Sequence, residues 1–278
     1  MTVGIVGLGL IGGSMAKSIK ARTSHTVYGI DINSETMLLA RLCGAIDGTL
    51  DDEKLAECDI ILLALLPGVA IEWTRANAEK IPKKATLVDL CGVKRTVCAA
   101  LAPIAMQHGF SYIGGHPMAG REVSGFVNSR ADLFDGASMI LTPDSRSSPT
   151  MLETLKNFFL DIGFGHITYT TPEEHDRIIA LTSQLAHIVS NAYVKSPEAQ
   201  KRRGFSAGSF KDLTRVARLD EDMWTELFLA NTDNLIYQLE FLIKSLGEYL
   251  DALRAGDAER LRGLLRDGRL MKASAGGD

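Results

Sequence analysis

Apolar residues follow two rhythms along this chain. Up to about residue 170 they come in short runs, at 3–7, 27–31, 59–66, 86–90, 111–113 and 138–141. Between these lie stretches with helical spacing, at 14–22, 34–42, 69–80 and 95–108. The run at 59–66 is almost continuously apolar, as a strand covered on both faces should be, and Pro67 ends it. Short apolar strands alternating with helices predict an α/β Rossmann-like unit with a doubly wound, mostly parallel sheet.

Beyond residue 170 only the helical rhythm remains. Thr171-Pro172-Glu173-Glu174 is a helix start, with Thr as cap, Pro at the first helical position and Glu three residues after the cap. The helix that follows is expected to turn Ile178, Thr182, Leu185, Val189 and Ala192 to one face. A second, longer helical pattern runs over 221–254, ~50 Å long if unbroken. Asp257 is expected to cap a last helix ending near Gly268, with a frayed tail after Lys272. The chain therefore divides into a dinucleotide-binding domain, 1–170, and an all-α domain, 171–278. A helix of that length needs more cover than its own domain provides, so a homodimer through the C-terminal helical domain is expected.

Charge and cysteine content narrow the class. Thirty Lys+Arg against 34 Asp+Glu give a net charge of −4, with 46% apolar residues. There is no basic block, so neither nucleic acid nor a membrane is an expected partner. No apolar run approaches the ~18 residues of a spanning helix and no cationic leader precedes Val3, so a cytoplasmic location is expected. Cys43, Cys58, Cys91 and Cys98 form neither a C-x-x-C pair nor a Cys/His cluster; reduced thiols and no metal are expected.

Gly7-Leu8-Gly9-Leu10-Ile11-Gly12 lies between a strand and a helix and matches G-x-G-x-x-G. Gly7 allows the tight turn, Gly9 admits a pyrophosphate to the backbone, and Gly12 lets helix and strand pack closely. The helix start offers N–H groups and a positive dipole end to the phosphates. Asp31 closes the second strand about 20 residues on, where a carboxylate accepts hydrogen bonds from ribose hydroxyls and repels a 2′-phosphate. Ile32-Asn33-Ser34 follows without a cation, so NAD is the expected cofactor.

His116 is the candidate catalytic residue. It lies just past the strand predicted at 111–113, on the sheet edge where ligands gather. An imidazole there can take a hydroxyl proton while a hydride leaves the same carbon.

His116-Pro117-Met118-Ala119-Gly120, followed by Glu122, resembles the signature of prephenate and arogenate dehydrogenases. Asp89-Leu90-Cys91-Gly92-Val93-Lys94 is similar to the family's D-x-x-S-V-K, and Ser183-Gln184-Leu185-Ala186-His187 to its S-H-L-P-H. Phe210-Lys211-Asp212-Leu213-Thr214-Arg215, with Met223-Trp224 and Asn231 beyond it, resembles a further family segment. The resemblance implies NAD-dependent oxidative decarboxylation of prephenate or arogenate in tyrosine biosynthesis. It implies His116 as proton acceptor and Arg215 as partner of a substrate carboxylate. Lys211, Gln184, His187, Glu122 and Gly92 are the further substrate-side positions it points to.

Two positions depart from the family pattern. Gly92 stands where the family commonly has Ser, and Gln184 replaces a His, so a cationic role there is lost. His175 is read as a helix-start residue. Two alternatives stay open: a β-hydroxyacid-type dehydrogenase, for which Lys195 is the nearest candidate lysine, and a non-catalytic NAD sensor.

Overall fold

The computed structural model describes residues 1–205 and 208–275. The apolar runs become strands of one sheet: β1 (Thr2–Val6), β2 (Thr26–Ile30), β3 (Gly48–Thr49), β4 (Ile60–Leu63), β5 (Thr86–Asp89), β6 (Ser111–Pro117), β7 (Ser138–Thr142) and β8 (His166–Tyr169). Their order is β3-β2-β1-β4-β5-β6-β7-β8, and all neighbours run parallel except β6 and β7. Successive residues of β4 serve opposite faces. Ile60 and Leu62 join the core with Met15, Ile19, Phe158 and Phe159, while Ile61 and Leu63 join that of Ala70, Val97 and Leu101. The first core packs under α1 (Leu10–Arg22) and α6 (Pro149–Asp161), the second under α4 (Pro67–Asn77) and α5 (Arg95–His108).

The sheet corrects several boundaries. α1 begins at Leu10, four residues before the sequence pattern placed it, because Gly12 and Gly13 fit its closely packed first turn. The strand expected at 111–113 continues to Pro117, because antiparallel β7 pairs His116 with Ile140 and Pro117 with Met139. His116 is therefore inside β6, not past it. Strands β3 and β8, helix α6 and the short helix α3 (Asp52–Glu57) were absent from the sequence reading.

The sheet ends at Tyr169, and the Thr171 hydroxyl accepts the Glu174 N–H at 3.2 Å to cap α7 (Pro172–Ile179). Residues Ala180–Leu185 then form a π-helical turn before α8 (Ala186–Tyr193). This turn shifts the register, so the stripe expected along the helix does not form. Ile178 and Thr182 are exposed, while His175, Asp176, Ile179, Ala180, Gln184 and Leu185 are buried. The helix expected over 221–254 is likewise two, α10 (Glu221–Leu229) and α11 (Thr232–Ala255), separated after the short α9 (Gly208–Thr214). The break is at Asn231, which is fully buried. Its Nδ2 donates to the Asp176 carbonyl and to Gln184 Oε1, each at 2.8 Å, and helical backbone geometry gives way to that network. α11 alone is ~36 Å long. The last helix, α12 (Ala258–Ala275), runs through Gly268 and includes Lys272; only 276–278 of the expected frayed tail lie outside the described residues. Among the described residues no helix is long and apolar enough to cross a membrane.

Candidate active site

At the β1 end, the site is shaped by what glycine omits. Gly7 has φ +87°, and its N–H donates to the Ile30 carbonyl at 2.8 Å, tying the turn to β2. A Cβ on Gly12 would lie 1.8 Å from the Gly7 carbonyl oxygen, so no side chain fits. A Cβ on Gly9 would meet nothing within 4 Å, which is the open cradle a pyrophosphate needs. Leu10 and Ile11 open α1, whose first N–H groups have no partner within the helix. Asp31 accepts from the Leu8 N–H at 2.7 Å and from the Asn33 N–H at 2.9 Å. Each carboxylate oxygen keeps a lone pair for a ribose hydroxyl. Beside it is a depression of about 400 Å³ lined by Ile30, Asp31, Ile32, Leu38 and Arg41. Arg41 is a cation the sequence reading left out, because it arrives from the far end of α2 (Ser34–Leu42). These residues fit an NAD dinucleotide.

His116 lies ~14 Å across the sheet, at three strand spacings from β1. Its Nδ1 is 2.9 Å from His175 Nε2, and His175 Nδ1 is 2.7 Å from Asp176 Oδ1. A carboxylate only accepts, so His175 carries its proton on Nδ1 and accepts at Nε2. His116 must then donate from Nδ1, which leaves its Nε2 as a free base. The carboxylate is held by the α5 N-terminus, where the Lys94 N–H reaches Oδ1 at 2.7 Å and the Arg95 N–H reaches Oδ2 at 2.9 Å. Burial pushes the Asp176 carboxyl up, but these bonds and the one to His175 hold it below its ordinary value. Burial, the facing His175 and the Lys94 ammonium push His116 well below the ordinary histidine range, so it is neutral at pH 7 with Nε2 free to accept a proton.

The remaining predicted positions separate into two groups. Gly92 does face the unprotonated nitrogen of His116: a Cβ there would stand 3.9 Å from His116 Nε2 and 3.4 Å from Leu227 Cδ2. Gln184 is instead 2% exposed and committed at both ends, accepting from Asn231 and donating to the Leu227 carbonyl at 3.0 Å. His187 packs against Trp224 with ring centroids 3.9 Å apart and planes tilted by 32°, and its Nδ1 is 2.8 Å from the Ser183 carbonyl. Arg215 pairs with Glu122, which joins the helical region to the loop after His116. Lys211 is exposed on α9, and the helix changes to a 3-10 turn at Arg215, so the two do not share a regular α-helical face.

The π turn changes how His175 and His187 face relative to one another. They stand twelve positions apart, which in an unbroken α-helix separates them by about 120°. One residue absorbed in the π turn reduces this to about 20°. Sequence reasoning missed His175, Asp176, Lys94 and Leu227. The signal for two of them was present in His175-Asp176 directly after the helix start. Lys195, the lysine of the β-hydroxyacid alternative, is exposed beyond the end of α8.

Two family models match the chain: "Prephenate dehydrogenase, nucleotide-binding domain" over residues 15–168, and "Prephenate dehydrogenase, dimerization domain" over 171–267. A prephenate dehydrogenase of Bacillus subtilis is 30% identical over 94% of this chain and 72% of its own length. The crystal structure of prephenate dehydrogenase from Aquifex aeolicus with hydroxyphenyl propionate and NAD+ superposes with a TM-score of 0.87, at 30% identity over 99% of this chain and 98% of that one. Synechocystis arogenate dehydrogenase superposes with a TM-score of 0.81, at 25% identity over 99% of this chain and all of that one (100%).

Proposed function

The chain belongs to the prephenate dehydrogenase family, an NAD-dependent oxidoreductase family of tyrosine biosynthesis, and from that premise we propose how it carries out the oxidative decarboxylation of prephenate or of its amino analogue arogenate. The observation that carries the reading is the His116–His175–Asp176 chain, which leaves one unprotonated imidazole nitrogen facing Gly92 beyond the end of β5.

Gly7, Leu8, Gly9, Leu10, Ile11 and Gly12 hold the cofactor's pyrophosphate, and Asp31 holds its ribose. NAD bound there supplies the hydride acceptor. His116 Nε2 takes the hydroxyl proton of the substrate as hydride leaves the carbon bearing that hydroxyl. The bond to the ring carboxylate then breaks, carbon dioxide departs, and its electron pair completes the aromatic ring. The proton returns from His116 to the phenolic oxygen, so the residue ends as it began. Asp176 keeps the imidazolium stable through His175 and fixes both tautomers. Aromatisation drives the reaction, so the protein has chiefly to orient substrate and polarise one hydroxyl.

The substrate's carboxylates need fixed cations. Arg215 is the bidentate candidate, and binding requires it to exchange or share Glu122. Lys211 adds positive potential, and His187 is held by Trp224 for a contact with the substrate side chain. Gly92 leaves the space at His116 Nε2 to the substrate hydroxyl itself, while Gln184 acts on the site through Leu227 and Asn231.

Residues 1–170 serve as the cofactor unit and 171–278 as the substrate and dimer unit. A homodimer is supported by the apolar side chains that α11 leaves exposed, among them Tyr237, Phe241, Ile243, Leu246 and Leu253. A cytoplasmic enzyme is consistent with four free cysteines. The test is NADH formation by purified protein from NAD with prephenate, and separately with arogenate. Turnover of at least one is expected. Tight NAD binding without turnover of either would return the chain to the NAD-sensor alternative.

A further inference from the structure

Lys94 is fully buried, and the mechanism above uses only its charge in passing. Its ammonium donates to Asp89 and, at 2.5 Å, to the carbonyl of Gly115. That carbonyl belongs to the peptide joining Gly115 to His116. The Lys94 backbone N–H meanwhile donates to Asp176 Oδ1 at 2.7 Å. One residue thus grips the peptide in front of the base and the carboxylate at the far end of its hydrogen-bonded chain.

We propose that Lys94 is a positioning residue of the reaction, holding β6 and α7 in the one registry at which His116 meets His175 and presenting a fixed positive charge beneath the base. The inference rests on His116 being the base of the proposed reaction. Close packing leaves little freedom here. A Cβ on Gly114 would meet Lys94 Cδ at 3.2 Å, Cys98 Sγ at 2.6 Å and Thr142 Oγ1 at 2.4 Å, so β6 lies directly on the lysine. Asp89 is fixed in turn by the Tyr112 hydroxyl at 2.7 Å and the Cys91 N–H at 3.0 Å.

A buried ion pair returns little net stability compared with apolar residues of the same volume. Packing alone therefore does not account for a charge at this place. The ionisable groups around His116 and Lys94 are few: Asp89 on β5, Cys91 and Lys94 between β5 and α5, Arg95 and Cys98 on α5, Tyr112 on β6, and His175 and Asp176 on α7. Although burial opposes it, Asp89 keeps Lys94 protonated, with its pKa above the ordinary value. A permanent cation beneath His116 keeps its imidazole unprotonated before substrate binds and favours return of the proton to the phenolic oxygen at the end of the reaction.

The pH profile of kcat/KM for the substrate at saturating NAD tests this, because its acid limb reports the base of the enzyme–NAD complex that meets the substrate. In Lys94→Met the acid-side inflection is expected to rise by about one pH unit, with kcat down about 100-fold and NAD affinity within about twofold. In Lys94→Ala, added n-propylamine is expected to restore about tenfold of the lost kcat by refilling the ammonium site. Loss of activity with an unmoved inflection and no amine rescue would overturn the proposal, since a merely structural lysine predicts that result. Should the Lys94 variants fail to bind NAD, Asp89→Asn decides. Without its counter-ion the buried lysine gives up its proton, so the inflection should rise as in Lys94→Met, and an unchanged or lowered value would overturn the proposal. Failure of the wild-type enzyme to turn over either substrate would count against the proposed function. Normal wild-type turnover beside unmoved inflections counts against Lys94 alone.

Discussion

At the β1 end of the sheet the site is made of backbone, and at the β6 end it is made of buried side chains. The proposed pyrophosphate cradle needs only a strand, a helix start and three glycines within six residues, and its one side chain, Asp31, follows on the next strand. The imidazole of His116, the proposed base, is oriented by His175 and Asp176 from α7, by the amides of Lys94 and Arg95 at the start of α5, and by Asn231, which binds the Asp176 carbonyl. A backbone site tolerates change in its neighbours, provided that no Cβ intrudes. A site of coupled polar side chains fails as a unit, because each member's tautomer or charge depends on the next.

Substitutions at the two ends should therefore separate cofactor binding from chemistry. The largest effect is expected for His116→Asn, which should cut kcat about 1,000-fold or more while leaving the NAD Kd unchanged by fluorescence titration. Asp176→Asn comes next. Without the carboxylate His175 loses its fixed tautomer, and kcat should fall about 100-fold in steady-state assays, with the cofactor end untouched. Weakened NAD binding in either variant would mean that the two ends are one cooperative site. Arg215→Ala should act mainly on substrate, raising KM about 30-fold through loss of a charge-assisted hydrogen bond. An unchanged KM would reject Arg215 as the carboxylate partner. The smallest effect belongs to Asp31→Ala, expected to shift the NADP/NAD ratio of kcat/KM about tenfold towards NADP, since Arg41 then remains as the cation of that depression.

The same contrast has a pH signature. His116 must be neutral to act, and its pKa lies well below the ordinary histidine value. Activity is thus expected to stay level as pH falls from 8 through about 6.5 and to drop only below it, as the imidazole gains its proton. NAD binding should not follow that drop.

Legibility in the sequence tracks the same division. The fingerprint and Asp31 were readable because local pattern states their geometry, whereas His116 was legible as a residue but its place inside β6 was not, since that depends on pairing with β7. His175 read as a helix start because its partner is remote in the chain and nothing local distinguishes a buried imidazole from a solvated one. Gln184, placed by resemblance at the substrate, is in fact enclosed by Asn231 and Leu227. The long helix and the single apolar stripe were wrong for a related reason. Periodicity assumes a regular helix, but buried Asn231 and the π turn at Ala180–Leu185 both give up regularity to satisfy polar contacts between distant segments.

The amino-acid sequence alone determined the doubly wound sheet, the helical second half and the glycine turn of the proposed nucleotide cradle, and it singled out His116 as the proposed base. Each depends on hydrophobic period, glycine geometry or a contiguous motif, which are properties of neighbours in the chain. Only the tertiary structure decided which nitrogen of His116 is free, what orients it, and that a buried lysine grips both ends of its hydrogen-bonded chain. Those depend on donors and acceptors brought together from separate segments, and their pairing exists only once water has been excluded from between them.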